Sequence, residues 1–320
     1  RDVIESRGLG DVYKRQHIVH PMSNPKKLDE HPPTIIREGN GVRIVDADGR
    51  EMVDGVGGLW NVNVGYGRQE IKQAIIDQMD RLHYSSIFGT MANEPSIELS
   101  AKLMELAAPE KMARVFFSSG GSDAVETALR LARQYWKLMG YKDRTKFISL
   151  KQGYHGTHFG AASVNGNTPF RRNYEPLLPG CFHVETPYFY RNSFTDDPSK
   201  LGEICADLLD REITFQGPDT VAAFIAEPVQ GAGGVIVPPE NYWPLIREVC
   251  DNHGVLLISD EVVTGFGRSG TLFGCRTWGV APDMMTCAKG INSGYVPLGA
   301  TLINERMNAA FMAGEEAMGM

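Results

Sequence analysis

Lys289 stands between an apolar run, Met284-Met285-Thr286-Cys287, and Gly290. Most lysines are solvated, but one that closes an apolar strand is expected to be buried, and burial lowers its pKa into the range that suits amine chemistry. Asp260 follows a second apolar run, Val255-Leu256-Leu257-Ile258. A carboxylate in that position commonly holds magnesium in a nucleotide-hydrolysing enzyme or pairs with a protonated ring nitrogen. The first use needs a G-x-x-x-x-G-K-[ST] loop, and the sequence has none. Ser119-Gly120-Gly121-Ser122-Asp123 opens a long helical stretch. Its glycines would let backbone approach an anion, and a helix N-terminus favours phosphate, although Ser122 or Asp123 could equally serve as an ordinary helix cap. Gly153-Tyr154-His155-Gly156 sets an aromatic pair between glycines, placed to lie flat against a planar ligand. His155 and His158 could also be read as metal ligands, but no third ligand accompanies them, so no metal is expected. Glu227 ends the run Val221–Ala226, where a solvated carboxylate is the commoner outcome.

These residues need elements that hold them at one edge. From about residue 95 the pattern is strand, turn, helix, repeated. Apolar strands are expected at 114–118, 146–150, 221–226, 255–258, 284–287 and 298–303. A helix is expected over 122–139, with Val125, Ala128, Ala132, Tyr135 and Met139 on its apolar face, and another over 242–253, stopped by Gly254. Continuous apolar strands alternating with helices indicate a parallel sheet covered on both faces, and in such sheets ligands sit outside the carboxyl ends of the strands. Every residue singled out above falls at such an end. Together they form a phosphate cradle, an aromatic platform, an acid for a ring nitrogen and a buried lysine, which is the inventory that pyridoxal phosphate requires. Before residue 69, Gly41-Val42-Arg43-Ile44-Val45 and the turn Asp46-Ala47-Asp48-Gly49 read as a hairpin, and residues 69–82 as an amphipathic helix with Ile71, Ile75 and Met79 on one face.

Composition removes other classes. The 320 residues suggest two domains of about 150 each. With 42% hydrophobic and 22% charged residues the chain is globular in composition, and a net charge of −7 argues against nucleic acid as partner. The apolar run at 221–226 is far short of the roughly 20 residues of a membrane span, so no membrane partner is expected. Five widely spaced cysteines without a Cys-x-x-Cys pair suggest reduced thiols in a cytoplasmic protein. The chain starts at Arg1 and stops at Gly314-Glu315-Glu316-Ala317-Met318-Gly319-Met320, so both ends are expected to be cut, with residues 1–16 a non-native or disordered leader.

The ordered set of motifs resembles the class III (ω-) aminotransferases of the fold-type I pyridoxal-phosphate enzymes, over nearly everything from residue 20 to 320. The segments that carry it are Gly58-Leu59-Trp60-Asn61-Val62-Asn63-Val64-Gly65-Tyr66-Gly67, residues 117–127, Gly153-Tyr154-His155-Gly156, Ala226-Glu227-Pro228-Val229-Gln230-Gly231, Asp260-Glu261-Val262 with Gly265-Phe266-Gly267-Arg268, and Ala288-Lys289-Gly290. The resemblance implies a mostly parallel seven-stranded sheet in a three-layer α/β/α large domain over residues 69–320. It also implies a partial small α+β domain over 17–68 and a missing C-terminal small domain. Lys289 would carry the cofactor as a Schiff base and move the substrate proton, and Asp260 would keep the pyridine nitrogen protonated. Tyr154 and Val262 would cover the ring faces, and Gly121 and Ser122 would bind the phosphate. His155 and Glu227 would orient the stacking loop and Asp260 or the ring hydroxyl. Trp60, Phe88 and Tyr154 would line the amine pocket, Phe88 reaching it from the other subunit of a homodimer. The implied reaction moves an amino group from an amine or ω-amino acid to a keto acid, pyruvate being the expected acceptor. The alternatives are an incomplete fragment of such an enzyme and a mutase or decarboxylase of the same fold.

Overall fold

The computed structural model describes residues 17–314, so the leader reading of residues 1–16 and the chain-end reading at 315–320 lie outside the described residues. The described chain divides between Arg81 and Leu82 into two compact units.

The first unit opens with α1 (Pro25–Glu30), capped by Asn24, and a three-stranded antiparallel sheet of β1 (Ile36–Asn40), β2 (Arg43–Asp46) and β3 (Glu51–Val53). The expected hairpin forms between β2 and β3. Its turn is held by buried Asp46, which accepts from the amides of Asp48 and Arg50 and from the Arg50 guanidinium, while Gly49 takes the left-handed conformation at φ 82°. Asp54 accepts from the Tyr66 hydroxyl at 2.7 Å and from the Gly58 amide at 2.7 Å, tying down the glycine-rich loop. That hydrogen bond pushes the Tyr66 phenol up to about 12. The sequence places α2 (Gln69–Arg81) correctly, but Ile75 and Met79 on its apolar face are exposed.

The second unit is built on a seven-stranded sheet. Its strands are β4 (Met112–Ser118), β5 (Lys146–Leu150), β6 (Cys181–Val184), β7 (Val221–Ala226), β8 (Leu256–Asp260), β9 (Met284–Cys287) and β10 (Gly299–Asn304), in the order β4-β10-β9-β8-β7-β5-β6. Only β10 runs antiparallel to its neighbours. Side chains alternate between the two faces, as the pleat requires. Phe147, Leu256 and Ile258 pack with Val125, Ala128, Leu129 and Ala132 of α4 (Gly121–Leu138). Ile148, Phe224 and Leu257 pack on the opposite face with Leu201, Leu209 and Ile213 of α6 (Pro198–Gln216) and with Trp243 and Ile246 of α7 (Tyr242–His253). The helices α3 (Glu94–Leu106), α5 (Phe159–Ser163) and α8 (Glu305–Ala313) complete the unit.

Several local expectations shift. Met139 is exposed rather than part of the apolar face, because α4 ends at Leu138 and Met139 is its cap residue. Gly254 does terminate α7, at φ 61° in the left-handed region. Several elements fall outside the strand-and-helix pattern expected from sequence, β6 and α6 within the sheet domain and the helices α1, α3, α5 and α8 among them. Strand β6 is a four-residue edge strand with a histidine at its third position, too short to show a period. Helix α6 does carry its signals: Asp197 caps it by accepting from the amides of Ser199 and Lys200, Pro198 opens it, and Leu201, Cys205, Leu209 and Ile213 recur on one buried face.

Candidate active site

Strands β5, β7, β8 and β9 are parallel neighbours, so their carboxyl ends bring Tyr154, His155, Glu227, Asp260 and Lys289 to one edge of the sheet. Asp260 is the last residue of β8 and is buried. One of its oxygens, Oδ1, accepts from the Val262 amide and from the Thr286 hydroxyl, each at 3.1 Å. Thr286 reaches it because the two residues are register partners across β8 and β9. The other oxygen, Oδ2, lies 2.7 Å from His155 Nδ1. An ionised carboxylate only accepts, so His155 donates through Nδ1 and its tautomer is set by Asp260.

The expected aromatic pair is split. Tyr154 is half-buried, with Phe170 packed edge-on at 5.0 Å between ring centroids, whereas His155 is turned inward and fully enclosed. Burial opposes a charge on His155, but its hydrogen bond to Asp260 and the charges of Asp260 and Glu227 raise its pKa above the ordinary value. His158 is exposed, and among the described residues no group of three or more His, Cys, Asp or Glu side chains could hold a metal ion.

Glu227 departs from the solvated carboxylate expected at a strand end. It is buried, and it accepts from the Tyr154 amide through Oε2 and the Gly231 amide through Oε1, each at 3.1 Å. Burial pushes its carboxyl up to about 7, opposed by His155. Lys289 is half-buried in the turn after β9, at φ 36°, a conformation that costs a non-glycine residue free energy and recurs at functional sites. Burial lowers its pKa, while Asp260 and Glu227 pull it back up.

Helix α4 starts at Gly121 with no side-chain cap at Gly120. The ordinary-cap reading of Ser122 and Asp123 therefore gives way to a different arrangement. Asp123 reaches back to accept from the Ser119 amide at 2.9 Å. Ser122 Oγ accepts from the Thr157 amide at 3.0 Å, which leaves the hydroxyl proton for another acceptor. A Cβ on Gly121 would come within 2.9 Å of Val262 Cγ1, so Val262 packs directly against the helix start. The remaining candidates stand elsewhere: Phe88 is 71% exposed on the loop before α3, and Trp60 belongs to the first unit. There Gly57, Gly58, Leu59 and Trp60 are consecutively left-handed, with φ between 59° and 64°.

The aminotransferase class-III family profile matches residues 25–319. The chain belongs to the class III aminotransferases. It is 41% identical to a putrescine–pyruvate aminotransferase of Pseudomonas aeruginosa, over 94% of this chain and 66% of that protein. It is 42% identical to a diaminobutyrate–2-oxoglutarate transaminase of Halomonas elongata, over 86% of this chain and 59% of that protein. Among solved structures, an amine transaminase from an uncultivated Pseudomonas species in its PLP-bound form superposes with a TM-score of 0.92 at 52% identity, covering 94% of this chain and 68% of that one. The chain thus spans less than two thirds of the length of these curated relatives. The fold is that of the fold-type I transferases, and the family's cofactor is pyridoxal 5′-phosphate.

The residues at the sheet edge fit that cofactor by their chemistry. The first-turn amides of α4 have no intrahelical acceptor, and with the Ser122 hydroxyl proton they suit a phosphate dianion. Asp260 suits a protonated ring nitrogen and the Lys289 amine suits an aldehyde, while Tyr154 and Val262 supply apolar surface. Sequence reasoning missed the active-edge roles of Thr286, Phe170 and Asn165. Thr286 was legible as the residue three before Lys289 on an inward strand, whereas Phe170 closes a three-residue 3₁₀ turn and Asn165 lies in irregular chain, neither long enough to show a period.

Proposed function

We propose that this chain carries the cofactor-binding and proton-transfer machinery of a transaminase that moves an amino group from an amine or ω-amino acid to a keto acid, pyruvate giving alanine. The observation that carries this is Asp260: a buried carboxylate with three protein donors, at the same sheet edge as the half-buried amine of Lys289. Pyridoxal phosphate, when bound, supplies an electron sink for the substrate carbon. In this reading Lys289 holds the cofactor through its amine and moves the proton at the reacting carbon. Asp260 holds a proton on the pyridine nitrogen, and His155 and Thr286 keep the carboxylate aimed. Gly121 and Ser122 bind the phosphate. Tyr154 and Val262 hold the ring plane from opposite sides, and Glu227 fixes the Tyr154 amide.

Trp60, Phe88 and Tyr154 are proposed as the amine-pocket residues. Leu82, Tyr84, Ile87, Phe88 and Met91 are all exposed apolar residues within ten positions of the second unit, which supports a homodimer, with Phe88 serving the other subunit. Residues 17–68 are assigned to a small domain. All five cysteines are free, four of them buried, which supports a reducing cytoplasmic setting, and no helix among the described residues is long and apolar enough to cross a membrane.

The test is a donor panel of amines and ω-amino acids with pyruvate or 2-oxoglutarate, following donor nitrogen into alanine or glutamate. Nitrogen transfer supports transamination, and carbon dioxide release or rearrangement of the donor without transfer supports the decarboxylase or mutase alternative. Lys289→Ala is expected to abolish turnover and the visible absorbance of bound cofactor. Asp260→Asn is expected to bind cofactor but lose about 10²–10³ in rate, the usual cost of removing a charge aimed at the developing one.

A further inference from the structure

The loop that carries Tyr154 and His155 is held from behind by a residue that none of the motifs contains. Asn165 is 1% exposed and follows α5. Its own backbone is anchored on both sides. The Ser149 hydroxyl donates to the Val164 carbonyl at 2.7 Å, the Asn165 amide donates to the Ala162 carbonyl at 3.1 Å, and the Gly166 amide donates to the Gly153 carbonyl at 3.0 Å. Gly166 lies so close to the chain below that a Cβ would sit 2.0 Å from the Leu150 carbonyl oxygen. The carboxamide is therefore presented by a rigid frame.

That carboxamide brackets the two-residue segment His155-Gly156. Asn165 Oδ1 accepts from the His155 amide at 2.5 Å, and Nδ2 donates to the Gly156 carbonyl at 2.8 Å. The pairing fixes which end is oxygen and which nitrogen, because the backbone partners are a donor and an acceptor. With the His155 amide and the Gly156 carbonyl both held, the backbone that carries the imidazole is fixed, and the imidazole meets Asp260 Oδ2 at 2.7 Å. The charged and titratable groups around the imidazole are Asp260 from the end of β8, Glu227 from the end of β7, and His183 from β6.

We propose that Asn165 is a positioning residue for the reaction, aiming His155 at Asp260 and so holding the Asp260 carboxylate where the cofactor's ring nitrogen meets it. This rests on the reading of Asp260 given above. An aspartate at 165 would keep the acceptor for the His155 amide but turn a second oxygen toward the Gly156 carbonyl, and an alanine would remove both bonds.

The test starts without cofactor. In protein labelled with ¹⁵N-histidine, the Nδ1 proton of His155, enclosed and hydrogen-bonded to a carboxylate, is expected as a downfield resonance that disappears in His155→Gln. Asn165→Ala is expected to shift or broaden it, and Asn165→Asp, which keeps the volume, to do the same if the alanine variant does not fold. Pyridoxal phosphate titrated into the same samples should bind about tenfold more weakly, the equivalent of one lost buried hydrogen bond. Asn167→Ala, on the neighbouring surface, should change neither readout. A variant at 165 that lowers the unfolding temperature yet leaves the His155 resonance and the cofactor affinity unchanged would show a merely structural residue and overturn the proposal. Asp260→Asn run alongside separates the two ideas. If it turns over like the parent, the reading of Asp260 fails, while the histidine resonance still decides whether Asn165 aims His155.

Discussion

At the scale of single residues, the site is governed by how few charges are buried and how each is compensated. Asp260 has three protein donors, whereas Glu227 has two backbone amides and a pKa raised to about 7 by burial. The consequence for stability follows from linkage. Below the ordinary carboxyl value of 4.5, Glu227 is protonated in both folded and unfolded chains, and it costs nothing. Between 4.5 and about 7 the unfolded chain ionises first, so stability falls as pH rises, and above about 7 the loss is complete. The size should be of order 1–3 kcal/mol. Ligand-free protein is thus expected to unfold at a lower temperature at pH 8 than at pH 5 through this group, and Glu227→Gln should shrink the difference. An unchanged pH dependence in that variant would remove Glu227 as its source.

At the scale of elements, the decisive contact is between the first turns of α4 and the loop after β5. Ser122 accepts from the Thr157 amide, and one helical turn later Glu126 Oε2 accepts from the Ala161 amide at 3.0 Å, so the phosphate end and the stacking loop are one mechanical unit. Gly156 makes this approach feasible. It is left-handed at φ 124°, and a Cβ there would lie 2.5 Å from Ser122 Oγ and 2.7 Å from Ser122 Cα. Gly156→Ala is therefore expected to displace the loop from the helix and weaken cofactor binding by about tenfold or more, at a fold cost of about 1–3 kcal/mol. Equilibrium titration of pyridoxal phosphate alongside thermal unfolding checks both, and unchanged affinity would mean the loop moves independently of α4. Legibility differs by element for a physical reason. Strands β7 and β8 and helix α7 were readable because burial on both faces leaves a continuous apolar run and burial on one stripe imposes a helical period. Strand β6 was not, because a four-residue edge strand imposes none.

At the scale of the whole molecule, each unit leaves apolar side chains uncovered. In the second these are Leu82, Tyr84, Ile87, Phe88, Met91 and Ile97, and in the first Ile75, Ile76 and Met79 of α2. Such patches mark association surfaces. Sedimentation of the purified chain is expected to show a dimer at micromolar concentration, and Phe88→Ser with Ile87→Ser should shift it to monomer. A monomeric parent would remove the support for a shared site.

Sequence alone determined which residues could do the chemistry, the family, and the strand ends on which Asp260 and Lys289 sit, because an apolar run followed by a single polar residue has one stable place in a covered parallel sheet. It also placed the α2 and α7 boundaries, through caps and periodicity. The tertiary structure decided the partners. It split Tyr154 from His155, buried Glu227, made Ser122 an acceptor for Thr157, and brought Asn165, ten residues along the chain, onto the His155 amide and the Gly156 carbonyl. Hydrogen-bond partners across a fold depend on how backbones approach in three dimensions, and that carries no period along the chain.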